Sequence, residues 1–230
     1  ADMDFLHRVL NNGGPAVPAC PATVPAPAPV LSWTPTASFG IEPAMLEALR
    51  HAEQALASLG HPVLPLDFDD RGARLVDAHS VIMAYDAVRL RSAEAARRDR
   101  ISPQLAALFE AGHAIGDAEY AAAHAVVAEE LAWLHGELAG GAVLLAPGAQ
   151  GPAPEGLTAT GSPLMCRPWQ ALGLPVLVVP GLAEPGSGMP LGIQLACLPG
   201  REEHLFAVAT GLERQLRSAA PSASAVSAAG

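Results

Sequence analysis

The chain has 230 residues, half of them hydrophobic but only 4% aromatic, with a formal charge of −10. That length can bury the core of one large domain, and the hydrophobic share excludes general disorder. The acidic balance argues against nucleic acid as a partner, because phosphate backbones are held by positive surfaces.

No run reaches the roughly 18 apolar residues that a membrane helix needs. Acids also stand where a signal peptide would carry basic residues, so a cytoplasmic location is expected. Cys20, Cys166 and Cys197 form no close pair, which disfavours a disulfide framework or a zinc site and suits a reducing compartment. All 13 basic residues are arginine, so the chain contains no lysine.

Residues 1–10 read as a short helix, with Met3, Leu6 and Leu10 at helical spacing. Residues 13–35 are dense in proline and read as an extended connector rather than a strand, since proline removes backbone donors. Met45, Leu49, Ala52, Leu56 and Leu59 share one helical face, and Gly60 ends that helix. Residues 62–68 follow as a short strand. A long helix is expected over 72–98, with Leu75, His79, Ile82, Met83 and Val88 among its inner residues. Arg97, Arg98 and Arg100 then suit its C-terminal end through the macrodipole.

Ser102 and Pro103 start another helix by the N-cap and first-turn rules, and Gly112 is expected to end it. Asp117 caps the next helix, which runs to about Leu138 before Gly140 and Gly141 break it. Residues 142–147 read as a buried strand and 148–161 as a loop. A short helix over 163–172 leads into the strand "PVLVVPG", a second strand spans 191–197, and a last helix spans 202–217. Residues 218–230 have no packing face and read as a disordered tail.

The residues by themselves give little chemistry. Glu202, Glu203 and His204 are adjacent, so on a helix they point in different directions. Asp77 with His79, and Tyr85 with Asp86, are equally poor constellations, and no catalytic metal or cofactor is expected. Cys166 lies beside Arg167, which can lower a thiol pKa, and His79 or His124 are bases that folding could bring near. A small, buried, apolar cysteine is the plainer reading. No nucleophile elbow and no phosphate-cradling glycine loop is present.

The C-terminal third carries a more specific signal. "LLAPGAQGPAPEGLTATGSPLMCRPWQALGLPVLVVPGL", then "GMPLGIQL", resembles the C-terminal half of amidase-signature enzymes, a family that includes amidases and amidotransferase A subunits. The matching features are Ala146-Pro147, the loop from Ala153 to Gly161, Trp169, the Gly173-Leu-Pro175 strand start, and the run from Gly188 to Gln194. The upstream pieces "GIEPAMLEALRHAEQALASLGHPV", "AHSVIMAYDAVRL" and "ISPQLAALFEAGHAIGDAEYAAA" fall in family order, so the resemblance covers residues 1–217.

The resemblance implies an α/β chain, part of a mixed-sheet α/β/α amidase-signature fold that is incomplete on its N-terminal side. It also implies hydrolysis of a small amide by a serine nucleophile, a second serine and a lysine base, with both serines on a Gly/Ser-rich loop. This chain has neither that loop nor a lysine, so it is expected to lack catalytic residues and to be inactive alone. An inactive scaffold used for binding or assembly is the alternative.

Trp169 is the first candidate for a substrate-pocket wall, with a core anchor as its plainer role. Met83 and Tyr85 are weaker candidates. Arg167 is a candidate for a substrate carboxylate, or else a helix cap or a partner of Glu155. The expected partners are a small amide in the complete enzyme, the missing N-terminal half, and optionally a second copy of the chain. Nucleic acid and membrane are not expected.

Overall fold

The structure, a computed structural model, describes residues 27–157 and 159–219. The expected first helix, most of the proline-rich connector, Cys20 and nearly all of the tail lie outside the described residues. In chain order the elements are β1 (Val30–Ser32), α1 (Pro43–Ser58), β2 (Val63–Pro65), α2 (Asp69–Leu90) and α3 (Ser92–Ala95). There follow α4 (Pro103–Ala114), α5 (Asp117–Glu137), β3 (Val143–Pro147), α6 (Arg167–Leu172), β4 (Val176–Ala183), β5 (Pro190–Ala196) and α7 (Glu202–Ala219). Among the described residues no helix is long and apolar enough to cross a membrane.

Two compact units divide the chain. A sheet unit takes the described residues up to Asp67, those from Leu138 to Met165, and those from Leu174 onward. A helical unit takes Phe68–Glu137 and Cys166–Gly173.

In the sheet unit the five strands are ordered β2-β1-β3-β5-β4. The β2–β1 and β1–β3 pairs are parallel, whereas β3–β5 and β5–β4 are antiparallel. One face buries Val30, Val143, Leu145, Ile193 and Leu195 against Met45, Leu49, Ala52 and Leu56 of α1 and Leu205, Val208 and Leu212 of α7. The alternate residues Leu144, Ala146 and Ala196 are buried as well. Burial on both faces explains the continuous apolar runs of these strands. At the two edges Leu64 of β2 and Val176 and Val178 of β4 stay exposed.

β1 corrects the sequence-based expectation of an extended connector over 13–35. No proline falls between Pro29 and Pro35, so Val30, Leu31 and Ser32 supply the N–H groups a ladder needs. Val30 donates to the Pro62 carbonyl at 2.8 Å, and Val143 donates to the Pro29 carbonyl at 3.0 Å. Proline still accepts hydrogen bonds even though it cannot donate them. Pro180, inside β4, sits at the irregularity between Val179 and Leu182, where a missing donor is tolerated.

In the helical unit α2 ends at Leu90, earlier than the periodicity suggests. Arg91 leaves helical geometry at φ −121° and ψ 36°, and no glycine or proline announces that break. Arg97 and Arg100 therefore flank or lie in a separate 3-10 turn, not in the last turn of the long helix. Met83 is 37% exposed and is not an inner residue, whereas Leu75 and Ala78 are buried.

Ser102 caps α4 as expected, accepting from the Leu105 N–H at 3.2 Å. Gly112 does not end that helix. It lies within α4 against α2, where an added Cβ would collide with the Ala84 carbonyl and the Val88 side chain. Its glycine is required by a close helix–helix approach, not by a stop.

Candidate functional site

The four candidate residues for substrate contact all fall in the helical unit, two on α6 and two on α2. α6 is short, with Pro168 in its first turn and Gly173 as a left-handed cap at φ 65°. That geometry presents Arg167 and Gln170, three residues apart, along one side of the helix.

Trp169 is 2% exposed and stacks on Phe68, with ring centroids 5.2 Å apart and planes 12° apart. Phe68 in turn stacks on Trp133 at 6.0 Å, and the Arg71 guanidinium lies 4.0 Å from the Trp133 ring centroid. Offset stacking of this kind adds to simple burial. Trp169 thus stands in an aromatic column with one ring face covered by Phe68.

Beside the column, Glu130 is fully buried. It accepts from Arg71 at 2.6 Å and pairs also with Arg74. A buried carboxylate is tolerated because cationic donors meet both of its oxygens.

Tyr85 is held on both sides. Its ring stacks on Tyr120 at 3.9 Å, and the Arg89 guanidinium lies 3.1 Å from its centroid. Its hydroxyl donates to Asp117 at 2.7 Å, and that bond is the main cause of a phenol pKa raised above the ordinary value. Asp117, the first residue of α5, thereby anchors the side chain of α2.

Arg167, the first residue of α6, meets α2 at a different place. Its Nη1 donates to Ser80 Oγ at 3.0 Å, and Ser80 Oγ donates to the Val76 carbonyl at 2.8 Å. His79 lies beside this relay. Burial first, and the Arg167 charge second, push its pKa below the ordinary value, while a hydrogen bond with Gln170 works against them. His79 Nδ1 and Arg167 Nε are both buried and have no hydrogen-bond partner. The sequence points to Arg167 as a site candidate and to His79 as an inner residue of the long helix or a base that folding could bring to Cys166, and it does not single out Ser80 or Gln170. The available signal was the i, i+3 pair of Arg167 and Gln170 on a proline-started helix.

The remaining reactive groups are less prominent. Cys166 is half-buried at the start of α6. Cys197, in the sheet unit, is buried, and burial followed by Glu202 pushes its thiol up to about 12, so it stays protonated and inert. Gln194 of β5 is buried and donates to the Pro147 carbonyl at 2.7 Å and to the Met165 carbonyl at 2.9 Å. It ties the sheet to the end of the loop before α6.

No protein-family model matches the chain, and neither does any curated protein. Solved structures do. An amidase is 22% identical, with a TM-score of 0.76 over 93% of this chain and 50% of its own. A bacterial aryl acylamidase of the amidase-signature family is 18% identical, with a TM-score of 0.61 over 85% of this chain and 47% of its own. A Kluyveromyces lactis allophanate hydrolase is 16% identical, with a TM-score of 0.64 over 82% of this chain and 32% of its own. The chain thus has the mixed-sheet α/β fold of amidase-signature enzymes and spans half or less of the length of these solved relatives.

Proposed function

We propose that this chain is a portion of an amide hydrolase, the part that completes the sheet and supplies substrate contacts for chemistry performed outside it. The observation behind the proposal is the match of 93% of the chain to a solved amidase at a TM-score of 0.76, over half of that enzyme's length. The reaction class is cleavage of the carbon–nitrogen bond of a small amide.

Such chemistry needs an activated nucleophile, a base, and donors aimed at the developing oxyanion. In the serine–serine–lysine scheme proposed here the base is a lysine, and this chain has none. Arginine is no substitute, because it stays protonated at accessible pH. The reacting groups therefore belong to a polypeptide that supplies the other half. The exposed apolar residues at both sheet edges, Leu64 and the pair Val176 and Val178, favour such a partner.

The test is ammonia or amine release from an aliphatic amide and an anilide. The 230-residue chain alone is expected to show no turnover above buffer. A longer polypeptide that includes its upstream coding sequence is expected to hydrolyse amides, and to lose that activity when a lysine in the added part is replaced. Turnover by the chain alone would falsify this reading. A second reading, an inactive scaffold used for binding or assembly, draws on the same lack of lysine. Inactivity of the longer polypeptide would favour it.

A further inference from the structure

Arg50, Arg71, Arg74, Arg89, Arg91 and Arg217 each pair with a carboxylate. Arg97, Arg100, Arg201 and Arg214 are exposed to water. Arg167 differs from both groups. It is half-buried, and among the described residues it meets a hydroxyl and no carboxylate.

Ser80 occupies Nη1 at 3.0 Å and is itself held by the Val76 carbonyl, so the guanidinium plane is fixed from the α2 side. The Nε–Nη2 edge is left over, and its Nε is buried without a partner. His79 Nδ1, on the residue next to Ser80, is likewise buried and unmet. A buried polar group left in that condition forfeits its hydration with nothing in return. Two such groups on neighbouring helices are explained if a ligand meets them.

We propose that Arg167, aimed by Ser80 and flanked by His79, binds a carboxylate. The substrate would then carry an acid group in addition to its amide. This assignment deepens the amide-hydrolase reading and rests on it only for calling the ligand a substrate. The side-on edge of a guanidinium matches the two oxygens of a carboxylate, a fit that an ammonium cannot reproduce. The guanidinium is pre-aimed, so little side-chain freedom is lost on binding. A carboxylate seated there also lies close enough to His79 to alter its imidazole resonances, which makes that ring the reporter.

The experiment is an NMR titration of the full 230-residue chain with succinamate, succinate and succinamide, following the His79 ring signals. Succinamate and succinate are expected to give saturable shifts, and the uncharged diamide none. Arg167→Gln should weaken the response about 10- to 100-fold, the range for a lost charged hydrogen bond. Arg167→Lys, which keeps the charge without the fork, should recover part of it, and Ser80→Ala should weaken it less than Arg167→Gln. Circular dichroism of each variant checks folding, and the lysine variant keeps the test decisive if the glutamine variant fails to fold.

An equal response to the diamide, no saturable response to either acid, or unchanged affinity in Arg167→Gln overturns the carboxylate site. The hydrolysis assay fails separately. Acid binding combined with no amide cleavage by the longer polypeptide would sink the hydrolase reading and leave the site standing.

Discussion

The sheet unit and the helical unit hold themselves together by different means. In the sheet unit nineteen buried residues form one apolar cluster, spread over strands and two helices. Its buried polar groups serve the backbone or a neighbour: His61 Nδ1 lies 3.0 Å from the Ala28 carbonyl, Ser32 donates to Glu53 at 2.6 Å, and Gln194 bridges two carbonyls. The helical unit buries fewer aliphatic side chains. It relies on the Phe68, Trp133 and Trp169 column, on Glu130 between two arginines, and on one close helix contact at Gly112. A distributed apolar core loses stability gradually, whereas a charge network or a backbone contact fails at single residues.

The largest effect that would break this contrast is expected at Glu130. Replacing both Arg71 and Arg74 by Met leaves the fully buried Glu130 carboxylate without its cationic donors and should cost about 3–5 kcal/mol, the range for stranding a buried charge. Urea denaturation measures the loss, and hydrogen exchange should place it first in α2 and α5. Protection lost equally in β3 and β5 would show that the two units do not differ in this way.

Gly112→Ala comes next. Its new Cβ meets backbone at Ala84, which cannot swing aside as a flexible side chain would, so a loss of about 1–3 kcal/mol is expected. Gly136→Ala is the control, because no atom lies within 4 Å of an added Cβ there. It should stabilise by about 0.5–1 kcal/mol through helix propensity. Thermal melts of the pair should move in opposite directions.

In the sheet unit Gln194→Leu keeps the volume but deprives the Pro147 and Met165 carbonyls of their shared donor. About 1–3 kcal/mol is the expected cost, read by denaturation. A neutral result would mean that water reaches these carbonyls.

The smallest expected effect is a pH slope. His204 is held below its ordinary value of 6.5, by burial first and then by His61 and Arg201. Above 6.5 the ring is neutral in both the folded and the unfolded chain, so its contribution is fully present. As pH falls below that value the unfolded chain takes up the proton first, and stability decreases. His204→Gln should flatten the fall in urea midpoint between about pH 7 and about pH 5. His79, shifted in the same direction, keeps part of the slope.

Much of the fold is legible in the residue pattern. Met45, Leu49, Ala52 and Leu56 are buried at helical spacing, Ser102 and Pro103 start α4, and the two apolar runs flanking the Gly/Pro loop pair as antiparallel neighbours. The errors share a cause. Prolines around Val30 concealed a strand because composition counts donors over a window, while a ladder needs only three in a row. Local rules make Gly112 a stop because they do not include the backbone of a neighbouring helix. The end of α2 at Arg91 carries no local signal.

What the sequence by itself determined is which positions are apolar, where helices begin, the mixed-sheet architecture through its ordered motifs, and the lack of a lysine. Arg167 meeting Ser80, 87 residues earlier, was decided by the tertiary structure alone, as was Trp169 stacking on Phe68. Periodicity records which face of an element is turned away from water. It holds no information on which other face it will meet, and the chemistry of a site lies in that meeting.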